Sequence, residues 1–119
     1  MKSWGGVKGK LDKLVGNFFR SRPCALAQTD PTHKCKGRME WCHIKSRKYL
    51  CVRWDFFNNL TLCSSAHFFF TANPDAFIHW LDKHFPGRTE YLNKKLTEIK
   101  PIKKSDLEIL YENKKEELE

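Results

Sequence analysis

Two features are scarce in this sequence: long apolar runs, and acidic residues in its first half. No hydrophobic stretch approaches the roughly 20 consecutive apolar residues that a membrane-spanning helix requires. The first ten residues place three lysines among glycines, where a secretory signal would have an apolar core. We therefore expect no membrane insertion and a cytoplasmic location. A chain of 119 residues suits one domain and is too short for a multidomain enzyme.

Acidic residues are few in residues 1–53, which hold 3 of them against 13 lysines and arginines. The whole chain has 22 basic and 14 acidic residues, a net charge of +8, yet residues 54–97 are balanced and residues 98–119 are slightly acidic. A basic surface raises the local concentration of polyanions, of which nucleic acid is the commonest. The charge pattern thus favours a nucleic-acid partner. An anionic membrane surface and a basic face that only maintains solubility are the alternatives.

The cysteines are odd in number, and the chain has no secretion signal, so a closed disulfide framework is disfavoured. All of them lie between residues 24 and 63, close to three histidines. The residues concerned are Cys24, Cys35, Cys42, Cys51 and Cys63, with His33, His43 and His67. Thiols that only fill a core would be spread along the chain. The clustering therefore favours metal ligation.

Apolar spacing and helix start and stop signals predict two short strands among several helices. In the first helix the apolar residues recur with a spacing of 3, 1, 3, 1, and Pro23 ends it. Pro74 stands where proline fits the first turn of a later helix. The predicted elements are a helix over residues 8–22, strands over 39–44 and 59–63, and helices from 64, over 74–85, over 89–99 and over 105–118.

The strongest motif lies between residues 40 and 71, where His43, Asn58 and His67 follow one another across the two strands and the next helix. This order resembles the HNH, or His-Me finger, endonucleases. Residues 41–49 and 52–55 are similar to small phage recombination nucleases of the NinG type, and the resemblance covers residues 10–95. It implies an α+β fold with a ββα-metal core and additional N- and C-terminal helices.

The resemblance implies a metal-dependent endonuclease that hydrolyses phosphodiester bonds in DNA, in phage recombination or branched-DNA processing. His43 takes the place of the general base, since an imidazole with a pKa near 6.5 can deprotonate water at neutral pH. Asn58 takes the place of the residue that orients this base or its loop. His67 takes the place of a ligand to Mg²⁺, Mn²⁺ or Zn²⁺, which stabilises the developing charge.

Cys42 occupies the position before the base, where the family often has a metal-binding Asp or His. A thiolate is a soft ligand that suits Zn²⁺ better than Mg²⁺. We include Cys42 as a candidate ligand of the same ion as His67. A buried thiol is the alternative.

The remaining cysteines correspond to a structural zinc site that many relatives hold with two Cys pairs. The second pair is a Cys-x-x-Cys before the final His, and here Ala66 stands in place of its second cysteine. Zinc in such sites takes four ligands, so three thiolates need one further donor. The candidate donors are Cys24, Cys35 and Cys63, with His33 or Cys51 as the fourth. A decayed site whose thiols only fill apolar space is the alternative.

The connection between the two strands is basic and aromatic. Its cations can hold phosphates and position the scissile bond without reading sequence. A solvated loop is the alternative. The candidate nucleic-acid-binding residues are Lys45, Arg47, Lys48 and Arg53.

The chain divides into a nuclease-like domain over residues 1–100 with a basic N-terminal helix, and a charged helical tail over residues 101–119. The tail is a candidate contact for a partner protein, and a homodimer is an open possibility. The rival interpretation of the whole chain is a non-catalytic, zinc-stabilised module that binds nucleic acid or protein. The departures at Cys42 and Ala66 are its motivation.

Overall fold

A computed structural model describes residues 4–98 and 100–118. This part of the chain contains seven α-helices and a two-stranded antiparallel sheet. The predicted α+β class is confirmed. In this described part of the chain, no helix combines the length and apolarity needed to cross a bilayer. The helices are α1 (Trp4–Arg20), α2 (Ala25–Thr29), α3 (Leu50–Arg53), α4 (Ser64–Ala72), α5 (Pro74–His84), α6 (Arg88–Thr97) and α7 (Lys104–Leu118), and the strands are β1 (Met39–His43) and β2 (Asn59–Cys63).

The sheet pairs β1 with β2 in a register that runs from Met39 opposite Cys63 to His43 opposite Asn59. Every residue of β2 is buried, because helices and loops cover both of its faces. The strand β2 passes directly into α4, with no intervening loop. Both strands lie where the sequence predicts them, apart from residue 44, which follows β1.

One apolar core lies between the sheet and the helices α2, α4 and α5. It accounts for Phe70 of α4 and for Phe77 and Trp80 of α5, whose rings pack together there at centroid distances of 5.1 to 6.1 Å. Its buried members are Cys24, Ala25, Cys42, Leu60, Leu62, Cys63, Ala66, Phe70, Trp80 and Leu81.

A second core joins α1 to α7. Four residues of α1 spaced four apart form its centre, and Trp54 and Leu107 are buried against them. The four residues of α1 are Val7, Leu11, Val15 and Phe19. Leu14 and Phe18, predicted for the same face, are half-buried, and Phe18 packs against this core. The predicted helical tail therefore exists as α7, and it packs on α1.

The predicted and observed elements differ mainly at short helices. The helices α2 and α3 have five and four residues, and helices this short depend on tertiary packing rather than on local propensity. The helix α1 begins at Trp4 despite three early glycines, because Val7 packs into the second core. The helix predicted over residues 89–99 corresponds to α6, and its predicted last residue, 99, lies outside the described residues.

Candidate functional site

The two histidines of the predicted motif line one cavity of about 180 Å³, which we call the histidine cavity. His43 is the last residue of β1, and His67 lies in the first turn of α4. Because β2 runs straight into α4, the pairing of the strands also fixes where His67 stands relative to His43. The other lining residues are Cys42, Ile44, Leu62, Phe70, Thr71, Pro74 and Phe77.

His43 has an unsatisfied ring nitrogen. Its Nε2 atom is buried and has no hydrogen-bond partner among the described residues. Burial, together with the positive charges of Arg47 and Arg53, lowers the pKa of His43 to about 4. The imidazole is therefore neutral at pH 7. A neutral imidazole can accept a proton from water or receive a hydrogen bond from a bound molecule.

His67 is held by a carboxylate that sequence reasoning missed. Its Nδ1 atom lies 2.8 Å from Oε1 of Glu40, and the hydroxyl of Ser64 donates to Oε2 of Glu40 at 3.1 Å. The hydrogen bond from His67 and the one from Ser64 lower the pKa of Glu40, so the carboxylate is ionised. An Nδ1–H bound to a carboxylate leaves Nε2 of His67 with a lone pair, as in many metal-binding histidines.

Asn58 is completely buried and holds the chain just after β1. Its Oδ1 accepts a hydrogen bond from the backbone N–H of Lys45 at 2.6 Å, and its Nδ2 donates to the Lys45 carbonyl at 3.2 Å. Lys45 is two residues beyond His43, so Asn58 fixes the segment that carries the imidazole. These bonds occupy both polar atoms of its side chain, so Asn58 positions the segment after β1.

Asn59, which the motif does not include, holds the other side of the same connection. Its Oδ1 accepts from the indole N–H of Trp41 at 2.7 Å, and its Nδ2 donates to the carbonyls of Arg53 and Asp55. The Trp41 ring in turn packs on the His43 ring at a centroid distance of 4.6 Å. The two adjacent asparagines at the start of β2 are the sequence feature that could have indicated this role.

Cys42 lies in the first core with 2% of its surface exposed. Burial raises the pKa of its thiol to about 12, so it stays protonated, and metals bind the thiolate form. Of the two interpretations open for Cys42, this environment favours the buried thiol. Within the described part of the chain, the histidine cavity lacks three metal-ligating side chains whose donor atoms lie within 4.8 Å of one another.

One group of metal-ligating side chains in the described residues does meet this distance. The donor atoms of four residues, here called the Cys3His cluster, all lie within 4.8 Å of one another: Cys24, His33, Cys35 and Cys63. This donor set is typical of tetrahedral zinc sites. His33 is therefore the fourth donor, with its Nε2 atom 3.4 Å from Sγ of Cys63. Cys51 is exposed on α3 and lies outside the cluster.

The cluster joins the loop around α2 to the end of β2. Cys24 precedes α2, His33 and Cys35 follow it, and the backbone N–H of Cys63 donates to Sγ of Cys24 at 3.4 Å. Gly37 lets this loop approach α4, because it has a φ of 81° and an added Cβ would lie 2.6 Å from the Cβ of Ser64.

The thiols of the cluster differ in charge state. Burial acts to raise the pKa of Cys63, but hydrogen bonds from the Ser65 hydroxyl, the Ala66 amide and His33 outweigh it and lower the pKa to about 5. Desolvation of its sulfur and hydrogen bonds with Cys63 and Cys24 raise the pKa of Cys35 to about 12, although the residue as a whole is exposed. A bound cation would favour ionisation of these thiols. The cluster can hold a metal such as zinc.

Asp12 of α1, another residue that sequence reasoning missed, engages part of the basic connection. Its carboxylate accepts from Nε of Arg53 at 3.2 Å, from Nη2 of Arg47 at 3.3 Å and from the indole N–H of Trp54 at 2.9 Å. Arg53 is consequently tied to the protein. Arg47 and Lys48 remain exposed, and Lys45 is half-buried.

Comparison with protein-family models, with curated proteins and with solved structures gave no significant match. The function of the site must therefore be argued from its residues and their geometry.

Proposed function

We propose that this chain is a metal-dependent endonuclease of the HNH type that hydrolyses phosphodiester bonds in DNA. One observation carries the proposal: His43 and His67 line the same cavity, one with an unpartnered buried nitrogen and the other fixed by a carboxylate. A base and a metal ligand that face one space are the minimum for metal-assisted hydrolysis of a phosphodiester.

In this proposal each residue has one task. His43, which is neutral at pH 7, accepts the proton of the attacking water, and Asn58 holds the segment that carries it. Glu40 orients His67 so that Nε2 can bind a divalent cation. When bound, that cation would stabilise negative charge on the phosphate. An imidazole nitrogen suits Zn²⁺ or Ni²⁺ better than Mg²⁺, which prefers oxygen ligands and keeps several waters.

The phosphate backbone would be held by the exposed cations of the basic connection. Arg47 and Lys48 reach solvent there, and the net charge of the first half of the chain favours a nucleic-acid substrate. Arg53 contributes indirectly, because its ion pair with Asp12 anchors the connection to α1.

The test is cleavage of supercoiled plasmid DNA by the zinc-loaded protein in Mg²⁺, Mn²⁺ or Ni²⁺. We expect His43→Ala to lower the nicking rate by roughly 100-fold or more, the usual contribution of a general base. His79→Ala removes an exposed imidazole on α5 and serves as the matched control, with activity equal to that of the unaltered chain. Equal activity of the two variants would refute the assignment.

A second candidate function is a non-catalytic, zinc-stabilised module that binds nucleic acid. It is favoured by the Cys3His cluster, which is the one group of three or more metal-ligating side chains in the described residues. The histidine cavity does not contain such a group. DNA binding with a steep salt dependence, but no cleavage with any divalent cation, would support this module over the nuclease.

A further inference from the structure

A groove of aromatic and arginine side chains lies outside the histidine cavity. It consists of two adjoining cavities of about 320 and 260 Å³ that share Phe85 and Arg88. No acidic side chain lines either cavity among the described residues. We call it the cation–aromatic groove, and its principal residues are Phe18, Arg22, Phe56, Phe57, Phe85 and Arg88.

Arg88 is a half-buried cation without a hydrogen-bond acceptor in the described part of the chain. Its guanidinium lies over the rings of Phe85 and Phe57, with centroid distances of 4.6 and 5.5 Å. The nearby Asp55 carboxylate is already occupied, since Tyr91 and the backbone of Phe57 donate to its two oxygens. Burial lowers the pKa of Arg88, and the negative charge of Asp55 offsets this shift only in part. An anion at this position would supply the missing acceptor.

The aromatic rings beside Arg88 offer faces and edges to solvent. Phe57 is 51% exposed, and it meets Tyr91 edge to face at 5.2 Å. An exposed phenylalanine forgoes part of the stabilisation that its burial would contribute, so an exposed ring beside a cation is informative. Unpaired bases stack on such rings, whereas the bases of a duplex are already stacked on one another.

The second cavity repeats the same combination. Phe18 and Phe56 stack with their rings 7° from parallel at 5.3 Å, and the guanidinium of Arg22 lies 5.5 Å from the Phe18 centroid. Arg22 is exposed at the end of α1. Two arginines beside aromatic rings, in a groove without carboxylates, complement a chain of alternating bases and phosphates.

We propose that the cation–aromatic groove binds single-stranded nucleic acid, with a base on Phe57 and a phosphate on Arg88. The groove shares no lining residue with the histidine cavity, so this binding goes beyond the proposed cleavage and does not require it. A nucleic-acid strand bound in this groove would leave the histidine cavity free to engage a second segment.

The test is fluorescence anisotropy of a labelled oligothymidylate of about 15 nucleotides, with the zinc-loaded protein and no added Mg²⁺. We expect Phe57→Ala to weaken binding about tenfold, as is usual for loss of one stacked base. Arg88→Gln should weaken it similarly and lower the slope of log Kd against log salt concentration by about one. The controls are Ile109→Ala and Lys83→Ala, which remove an exposed apolar and an exposed basic side chain elsewhere.

Each variant is also melted thermally, so that a loss of binding is compared only among folded proteins. No divalent cation is added, so the measured binding does not require cleavage, which separates this proposal from the nuclease assignment. The proposal is overturned if Phe57→Ala and Arg88→Gln bind within twofold of the controls. It is also overturned if Phe57→Ala weakens the binding of a duplex of the same length as much as it weakens the binding of the single strand, or if the groove is covered by a second copy of the chain.

Discussion

At the level of single residues, the two histidines of the cavity are held in opposite ways. His67 has a carboxylate on Nδ1 and a partly exposed side chain. His43 has a buried nitrogen with no partner and two arginines whose charges oppose its protonation. The first arrangement orients the ring of His67, and the second keeps the imidazole of His43 uncharged at pH 7.

The lowered pKa of His43 makes stability depend on pH. In the unfolded chain the imidazole protonates near pH 6.5, whereas in the folded chain it does so near pH 4. Between these values the unfolded state binds more protons, so the contribution of His43 is fully present above pH 6.5 and is lost as the pH falls towards 4. From pH 7 to pH 5 this amounts to about 2 kcal/mol.

Urea denaturation at the two pH values, with zinc kept saturating, measures this loss. His43→Gln removes the titrating group and should lose about 2 kcal/mol less stability than the unaltered chain over that interval. His79→Gln, at an exposed position of α5, should behave like the unaltered chain. An NMR titration that finds the pKa of His43 near 6.5 would contradict the prediction.

At the level of elements, the Cys3His cluster connects the loop around α2 to the junction of β2 and α4. Neither the loop nor the two-stranded sheet has enough apolar area to hold its shape alone. A metal held by the cluster would therefore supply a long-range connection between these elements.

Zinc content distinguishes His33 from Cys51, the two residues that the sequence allows as the fourth zinc donor. We expect one tightly bound zinc per chain, retained in Cys51→Ala and lost in His33→Ala together with cooperative unfolding at lower temperature. Elemental analysis after dialysis, paired with thermal melting, gives both readouts. Equal zinc content in the two variants would exclude His33 as a ligand.

Sequence reasoning predicted the strands, most helix bounds and the placement of His43 and His67, because these depend on local periodicity, helix capping and motif spacing. It missed Glu40 and Asp12, because their roles arise from pairings with His67 and Arg53 that lie 27 and 41 residues away. It also left the fourth zinc donor open. Spacing admits both His33 and Cys51, and only the direction in which the loop turns decides between them.

At the level of the whole molecule, α7 shares a core with α1. Leu107 is 2% exposed and lies with Leu11 and Val15, although charge alone predicts a separate tail for this segment. The helix also presents Ile109, which is 61% exposed. The two residues are a matched pair for asking whether the segment contributes to global stability.

We expect Leu107→Ala to lower the free energy of unfolding by about 3 kcal/mol, as usual for a buried leucine, with a single transition retained. Ile109→Ala should change it by less than about 0.5 kcal/mol. Chemical denaturation followed by both tryptophan fluorescence and circular dichroism measures the effect. Two separate transitions, or equal effects of the two substitutions, would indicate an independently folding tail.

The absence of a loop between β2 and α4 restricts insertions and deletions. Cys63 ends the strand and supplies a thiol to the cluster, and His67 follows four residues later in the helix. One residue added between them would rotate His67 by about 100° around the helix axis and advance it about 1.5 Å, away from Glu40. The number of residues in this segment is therefore as constrained as their identity.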